Sequence, residues 1–217
     1  MALRAFACLL VGVLLIGAAT VTVRHVQNDV ALRARLEPGP VDIGFAQSMG
    51  VHHQQAIAMA QMLLDGRPTP LAGLARAIVY AQLAEIGEMR GWLRLWEKPW
   101  LPVTRSMDWM LLGDAPPDAV LQKYLLDCRR SPTGMTGMAT DVELGRLRTL
   151  EGRPRDELFL KLMLQHHRGG IPMAQFAAHN ARLAAVRTLA ANMAVEQSEE
   201  VARILMTLNA MGVAPPG

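Results

Sequence analysis

The stretch "FAQSMGVHHQQAIAMA" at residues 45–60 returns as "FLKLMLQHHRGGIPMA" at residues 159–174. At a constant offset of 114, the Phe, a Met, both His, the Ile, a second Met and the Ala recur, seven identities in sixteen positions. A repeated adjacent histidine pair inside such a match points to duplication rather than shared composition. A second match follows each block: "LARAIVYAQLAEIGEM" at 74–89 and "LAANMAVEQSEEVARI" at 189–204 share Leu-Ala and Gln-x-x-Glu at offset 115. The chain reads as a doubled two-segment unit.

Each segment places apolar residues three and four apart, the period of a half-buried helix. Phe45, Met49, Ala56, Ala60 and Leu63 form one stripe, with His52 and His53 on either side of its centre line. Leu71, Ala75, Ile78, Ile86, Met89 and Leu93 form the next, with Gln82 at its centre and Glu85 at its margin. Val186, Ala190, Met193, Val201, Ile204 and Leu208 surround Gln197 and Glu200 in the same way. The pattern predicts an all-α fold, a four-helix bundle of two antiparallel hairpins with long helices over 42–65, 70–97, 156–179 and 183–210. Repeat one spans 42–98, repeat two 156–211, and the crossover 99–155 is broken by Pro99, Pro102, Pro116, Pro117 and Pro132. Short helices are expected there at 118–129 and 141–150, the latter opened by the Thr140-x-x-Glu143 capping box.

Around this domain, composition sets limits. The 217 residues are 51% apolar and 19% charged with a net charge of +3, which excludes disorder as the main state. Nineteen arginines and three lysines are spread without a basic block and with few aromatics, so no nucleic-acid partner is expected. Cys8 and Cys128 provide no internal disulfide framework. Cys128 beside Arg129 and Arg130 is a lone thiol with no resolving partner. Arg4 is followed by nineteen uncharged residues, Ala5 to Val23, enough helix to span about 28 Å. Residues 1–24 are therefore a transmembrane anchor or a signal peptide, the small run Gly17-Ala18-Ala19 offering a loose cleavage site. Residues 25–41 read as a stalk ending at Pro38-Gly39-Pro40. The domain is expected outside the cytoplasm, held at the cell membrane or, after cleavage, secreted or periplasmic.

Duplication brings His52, His53, His166 and His167 into one core with Gln82, Glu85, Gln197 and Glu200. Burying these groups unpaired would cost several kcal/mol. A hydrogen-bond network between Glu and His would satisfy them, but two symmetric histidine pairs facing two carboxylates is the composition of a metal site with outer-shell carboxylates. Histidine outnumbers carboxylate, the inverse of carboxylate-rich di-iron bundles, so iron is disfavoured. Met49 and Met163 precede the pairs by three residues and Met59 and Met173 follow by six, and thioether with imidazole suits copper, Cu(I) above all, with zinc or the less favoured iron as the alternative. Methionine is also an ordinary core filler. Met107, Met110, Met135 and Met138 in the crossover are a further soft group or one face of a short helix.

Both Met-x-x-His-His blocks, each followed by Ile-x-Met-Ala, together with both Gln-x-x-Glu helices, resemble domain-of-unknown-function family 305, the CopM-like family of exported or membrane-anchored bacterial proteins. The resemblance covers residues 42–211. It implies a ferritin-like four-helix fold, an extracytoplasmic location, and copper binding of the kind attributed to some members. It implicates His52, His53, His166 and His167 with Met49, Met59, Met163 and Met173. The sequence departs from a symmetric pattern where Gly169, Gly170 and Pro172 replace Gln55, Ala56 and Ala58, which is expected to interrupt the third long helix. Ile204 also stands where repeat one has Met89.

Three functions compete on these residues. The first is an exported copper-binding protein that sequesters or hands on the ion without turnover. The second is a redox metalloenzyme on the same site, for which no catalytic acid, base or nucleophile constellation is present. The third is an interaction module whose polar core fixes helix register. Oligomeric state stays open, a homo-oligomer included.

Overall fold

A computed structural model of the chain describes residues 20–28, 30 and 36–216. The chain divides into two units at Glu37 and Pro38. In the first, residues 20–28 are helical with exposed side chains. The apolar segment Ala5–Val23 lies outside the described residues except for its last four. Among the described residues no helix is long and apolar enough to cross a membrane.

The second unit is helical throughout, with no strand among the described residues. Its long helices are α1 (Pro40–Leu63), α2 (Ala72–Leu95), α5 (Gly152–Asn180) and α6 (Ala184–Ala210). Between them lie a 3-10 turn (Asp108–Leu111), α3 (Ala119–Arg130) and α4 (Asp141–Thr149). Helix α1 begins two residues before the expected start because Pro40 can occupy the first helical position, where no N–H is needed. Helix α4 opens with the expected capping box: Thr140 N–H donates to Glu143 Oε2 at 2.8 Å and Glu143 N–H to Thr140 Oγ1 at 3.3 Å. Helix α1 pairs with α2, α5 pairs with α6, and the two hairpins meet through α1 and α5.

Both hairpins end alike. At α2, Glu97 N–H donates to Arg94 O at 3.1 Å and Lys98 N–H to Leu93 O at 2.8 Å. At α6, Gly212 N–H donates to Asn209 O and Val213 N–H to Leu208 O, both at 2.9 Å. This is the Schellman closure, which needs a left-handed residue at its turn. Repeat two uses Gly212 (φ 67°); repeat one holds Glu97 there at φ 54°.

A reciprocal clamp locks the hairpins together. The buried Asp42 carboxylate accepts N–H bonds from Gly39 (2.9 Å), Arg182 (3.1 Å) and Leu183 (2.9 Å), so the first turn of α1 holds the α5–α6 connection. Its counterpart 114 residues on, Asp156, accepts the Thr69 hydroxyl at 2.7 Å and so holds the α1–α2 connection. Thr69 and Leu183 are themselves 114 apart. These crossed contacts make α1 and α5 antiparallel. Asp42→Ala leaves three backbone donors without their charged acceptor and should lower unfolding free energy by about 2 to 3 kcal/mol. Urea denaturation checks this: a midpoint equal to the parent's would show that the clamp is energetically idle.

The crossover is fixed to both histidine helices. Gln55 of α1 accepts from Ala139 N–H at 2.7 Å and donates to Ala139 O at 2.8 Å. On α5, a Cβ at Gly169 would stand 2.1 Å from Thr136 O, so only glycine lets the same segment pass. One departure between the repeats, Gln55 against Gly169, thus serves a single crossover strap, which one helix grips and the other admits. The expected interruption of the third long helix is not found: α5 runs unbroken through Gly169, Gly170 and Pro172. The Tyr124 hydroxyl donates to Gly169 O at 2.9 Å, next to the Arg168 carbonyl whose usual N–H partner Pro172 lacks.

Candidate metal centre

Side chains of His52, His53, His166 and His167 are fully buried where α1 crosses α5. They separate two hydrophobic clusters. Met49 and Met173 belong to one, Met59 and Met163 to the other, all four without solvent exposure. Antiparallel crossing explains the pairing: the Met before one histidine pair lies on the side of the Met after the other pair, rather than beside its own sequence equivalent. The asymmetry seen at Met89 and Ile204 becomes a polarity of the core. Seven buried methionines (Met49, Met89, Met107, Met110, Met135, Met173 and Met193) lie in the first cluster, and two, Met59 and Met163, in the second.

The imidazoles are arranged by their partners. His53 Nε2 lies 2.7 Å from Glu85 Oε2, and His167 Nε2 makes the equivalent bond to Glu200. A carboxylate accepts only an N–H, so each bond fixes the proton on Nε2 and leaves Nδ1 of the neutral ring as a lone pair. His166 Nε2 donates to His52 O at 2.9 Å, again leaving Nδ1 bare. His52 breaks the symmetry, since both of its ring nitrogens lack a partner. Gly170 shapes this half of the layer: a Cβ there would stand 2.9 Å from His52 Cε1 and 2.6 Å from Gln197 Oε1, so glycine makes room for that ring and amide. The rings of His52 and His166 stack with centroids 3.6 Å apart and planes 33° apart.

Five imidazole nitrogens and the amide oxygens Gln82 Oε1 and Gln197 Oε1 are therefore buried without a hydrogen bond. In neutral rings these nitrogens are four lone pairs and one N–H. Burial, first, and then the neighbouring imidazoles hold His52 and His166 well below the ordinary histidine range, so both are neutral at pH 7. An electron-pair-rich, proton-poor layer of this kind suits a bound cation. Imidazole lone pairs lie in the ring plane, and stacked rings direct them past each other rather than at one point. Consistently, among the described residues no three His, Cys, Asp or Glu side chains converge as ligands. Capture of one ion by several of these rings requires side-chain rotation.

Carboxylates gather beside the histidine layer. The Glu196 carboxyl is pushed up by partial burial, then by Glu85, Glu200 and Glu199, which places carboxylates of α2 and α6 close together. Cys128 is buried with its thiol 3.9 Å from Thr136 Oγ1. His179 is exposed and turned back onto Gln175 O at 2.7 Å, and His25 lies in the first unit. The sequence reading missed Asp42 and Asp156; extending the offset of 114 three residues toward the N-terminus of each block would have found them.

A buried histidine tetrad between two duplicated helical hairpins defines a class of all-helical bundle proteins with a polar core. The family model described as "domain of unknown function (DUF305)" matches residues 42–208, and the chain belongs to that family. A DUF305 protein of Streptomyces coelicolor, named as a candidate secreted protein, has a solved structure 32% identical to this chain, with TM-score 0.69 over 82% of this chain and 97% of that one. A DUF305 fragment from Deinococcus radiodurans is 24% identical, with TM-score 0.61 over 80% of this chain and 99% of that one. CopM in its Cu(I)-bound form is 25% identical, with TM-score 0.55 over 78% of this chain and 96% of that one. No curated protein matches the chain.

Proposed function

We propose that this protein is an exported copper-binding protein whose domain, residues 42–211, sequesters the ion or hands it on without turnover. The observation that carries the reading is the set of buried, unpartnered imidazole nitrogens and amide oxygens, because a folded core does not otherwise retain so many unpaired polar atoms in one layer. His52, His53, His166 and His167 are the proposed imidazole ligands, Met49, Met59, Met163 and Met173 the thioether donors, and Glu85 and Glu200 orient the rings through Nε2. Gln82 and Gln197 line the same layer. CopM, which shares this fold, has solved structures in Cu(I)-bound and Cu(II)-bound forms, which supports copper as the ion. The exposed carboxylates of Glu196 and Glu199, beside the partly exposed Glu85, favour approach of a cation. An extracytoplasmic place, through the segment Ala5–Val23, completes the reading.

Metal analysis of protein purified without chelator tests the function: copper at stoichiometric level is expected, and protein that neither retains nor takes up copper would overturn it. Methionine chemistry is tested separately. The four substitutions Met49→Leu, Met59→Leu, Met163→Leu and Met173→Leu conserve volume but remove sulfur, so affinity for Cu(I) should fall at least about tenfold while Zn(II) affinity holds. Equal loss for both ions, or none, would make these methionines core filler.

A further inference from the structure

We propose that the C-terminal end of α2 and the turn after it form a lipid-docking apex, which seats the domain on an anionic membrane surface. Here the chain exposes Leu95 (81%), Leu101 (59%) and Val103 (94%), large apolar side chains within nine positions of one another. Trp92, Trp96 and Trp100 alternate with them, each only partly covered. Trp92 and Trp96 stack with centroids 6.0 Å apart. Tryptophan with an apolar body and a wet N–H edge belongs to the headgroup boundary of a bilayer.

The charge around these residues selects the partner. Arg90, Arg94, Lys98 and Arg105 are exposed, and none of them is in an ion pair among the described residues. Against Glu97 alone, these four give residues 90–105 a net charge of +3, equal to that of the whole chain. Exposed apolar groups interleaved with unpaired cations complement an anionic lipid surface, whereas a symmetric contact of this patch with its own copy would set like charges against each other.

The apex is also held rigid without its apolar tips being covered. Gln47 donates to Pro99 O at 2.8 Å, Trp100 packs so closely on α1 that a Cβ at Gly50 would stand 2.3 Å from its ring, and Arg90 lies 5.4 Å over that ring. Little ordering is therefore required on docking. The proposal is independent of the copper reading, because none of these residues belongs to the histidine layer.

Trp92, Trp96 and Trp100 lie in the apex while the fourth tryptophan, Trp109, is buried against Phe45 and Phe176, so quenching from the bilayer reports the apex. Full-length protein is reconstituted into vesicles of phosphatidylglycerol and phosphatidylethanolamine brominated near the headgroup, and into phosphatidylcholine vesicles brominated likewise. Quenching is expected in the anionic vesicles, weakening with added salt, with much less in the neutral ones. Arg94→Gln with Lys98→Gln should lower the docked-to-free ratio about 30-fold. Leu95→Ser with Val103→Ser should abolish quenching while keeping every charge. All four side chains are exposed, so circular dichroism should match the parent's. Absence of quenching in anionic vesicles overturns the proposal, as does equal quenching of parent and variants. A shift in tryptophan emission that follows protein concentration without lipid would assign the surface to self-association instead and overturn it as well.

Discussion

Replacing His52 and His53 together, or His166 and His167 together, should lower Cu(I) affinity on the order of 10³-fold or more. The size follows from what each pair supplies. Loss of an outer-shell carboxylate that only orients a ligating ring typically costs about 10- to 100-fold, so Glu85→Gln and Glu200→Gln set the smaller end of the scale. Removing two rings deletes the donors themselves and leaves one carboxylate, Glu85 or Glu200, without the N–H that it now accepts. His179→Ala is the control, since that ring is exposed and lies outside the tetrad. Competition against a chromophoric Cu(I) chelator reads all five variants. If the pair variants compete as the parent does, copper is held elsewhere and the tetrad is a structural network.

Much of this site is visible in the sequence because two physical constraints act on it together. A half-buried helix must show its period, which put His52, His53, Gln82, Gln197 and Glu200 on core-facing stripes, and duplication then tells which helices share the core. The four long helices followed to within four residues at every end. The miss of four residues lies at the start of α5, where Gly152 at φ 53° marks a beginning that hydrophobic spacing does not encode. At Gly169, Gly170 and Pro172 local propensity predicts an interruption. Their reasons are tertiary: the crossover needs the space at Gly169, and His52 with Gln197 needs it at Gly170. Likewise, the pairing of Met49 with Met173 follows from the antiparallel crossing of α1 and α5, a relation between helices that neither stripe contains by itself.

Acidification should destabilise the metal-free protein steeply from about pH 6.5 downward. In the unfolded chain the His52 and His166 rings titrate at the ordinary histidine value, 6.5, whereas in the folded protein burial, then nearby imidazoles, hold both well below it. Below 6.5 the unfolded state therefore binds protons that the native state refuses, and stability falls by about 1.4 kcal/mol per pH unit for each ring, about 2.7 for the two, until the folded rings titrate. Above 6.5 neither state is protonated and the contribution is constant. Other groups separate by window or by sign. Asp65, held low first by Arg67 and also by Arg155, stabilises the fold above the usual carboxylate range and loses that effect only in stronger acid. Glu196, pushed up by partial burial and by Glu85, works in the opposite direction. Urea midpoints measured between pH 7 and pH 5 should thus drop for the parent and stay nearly level for the His52→Leu, His166→Leu double variant. A parent midpoint that does not move across that interval would mean that the two rings take up protons inside the fold, and the neutral, cation-seeking layer inferred from their unpaired nitrogens would lose its electrostatic basis.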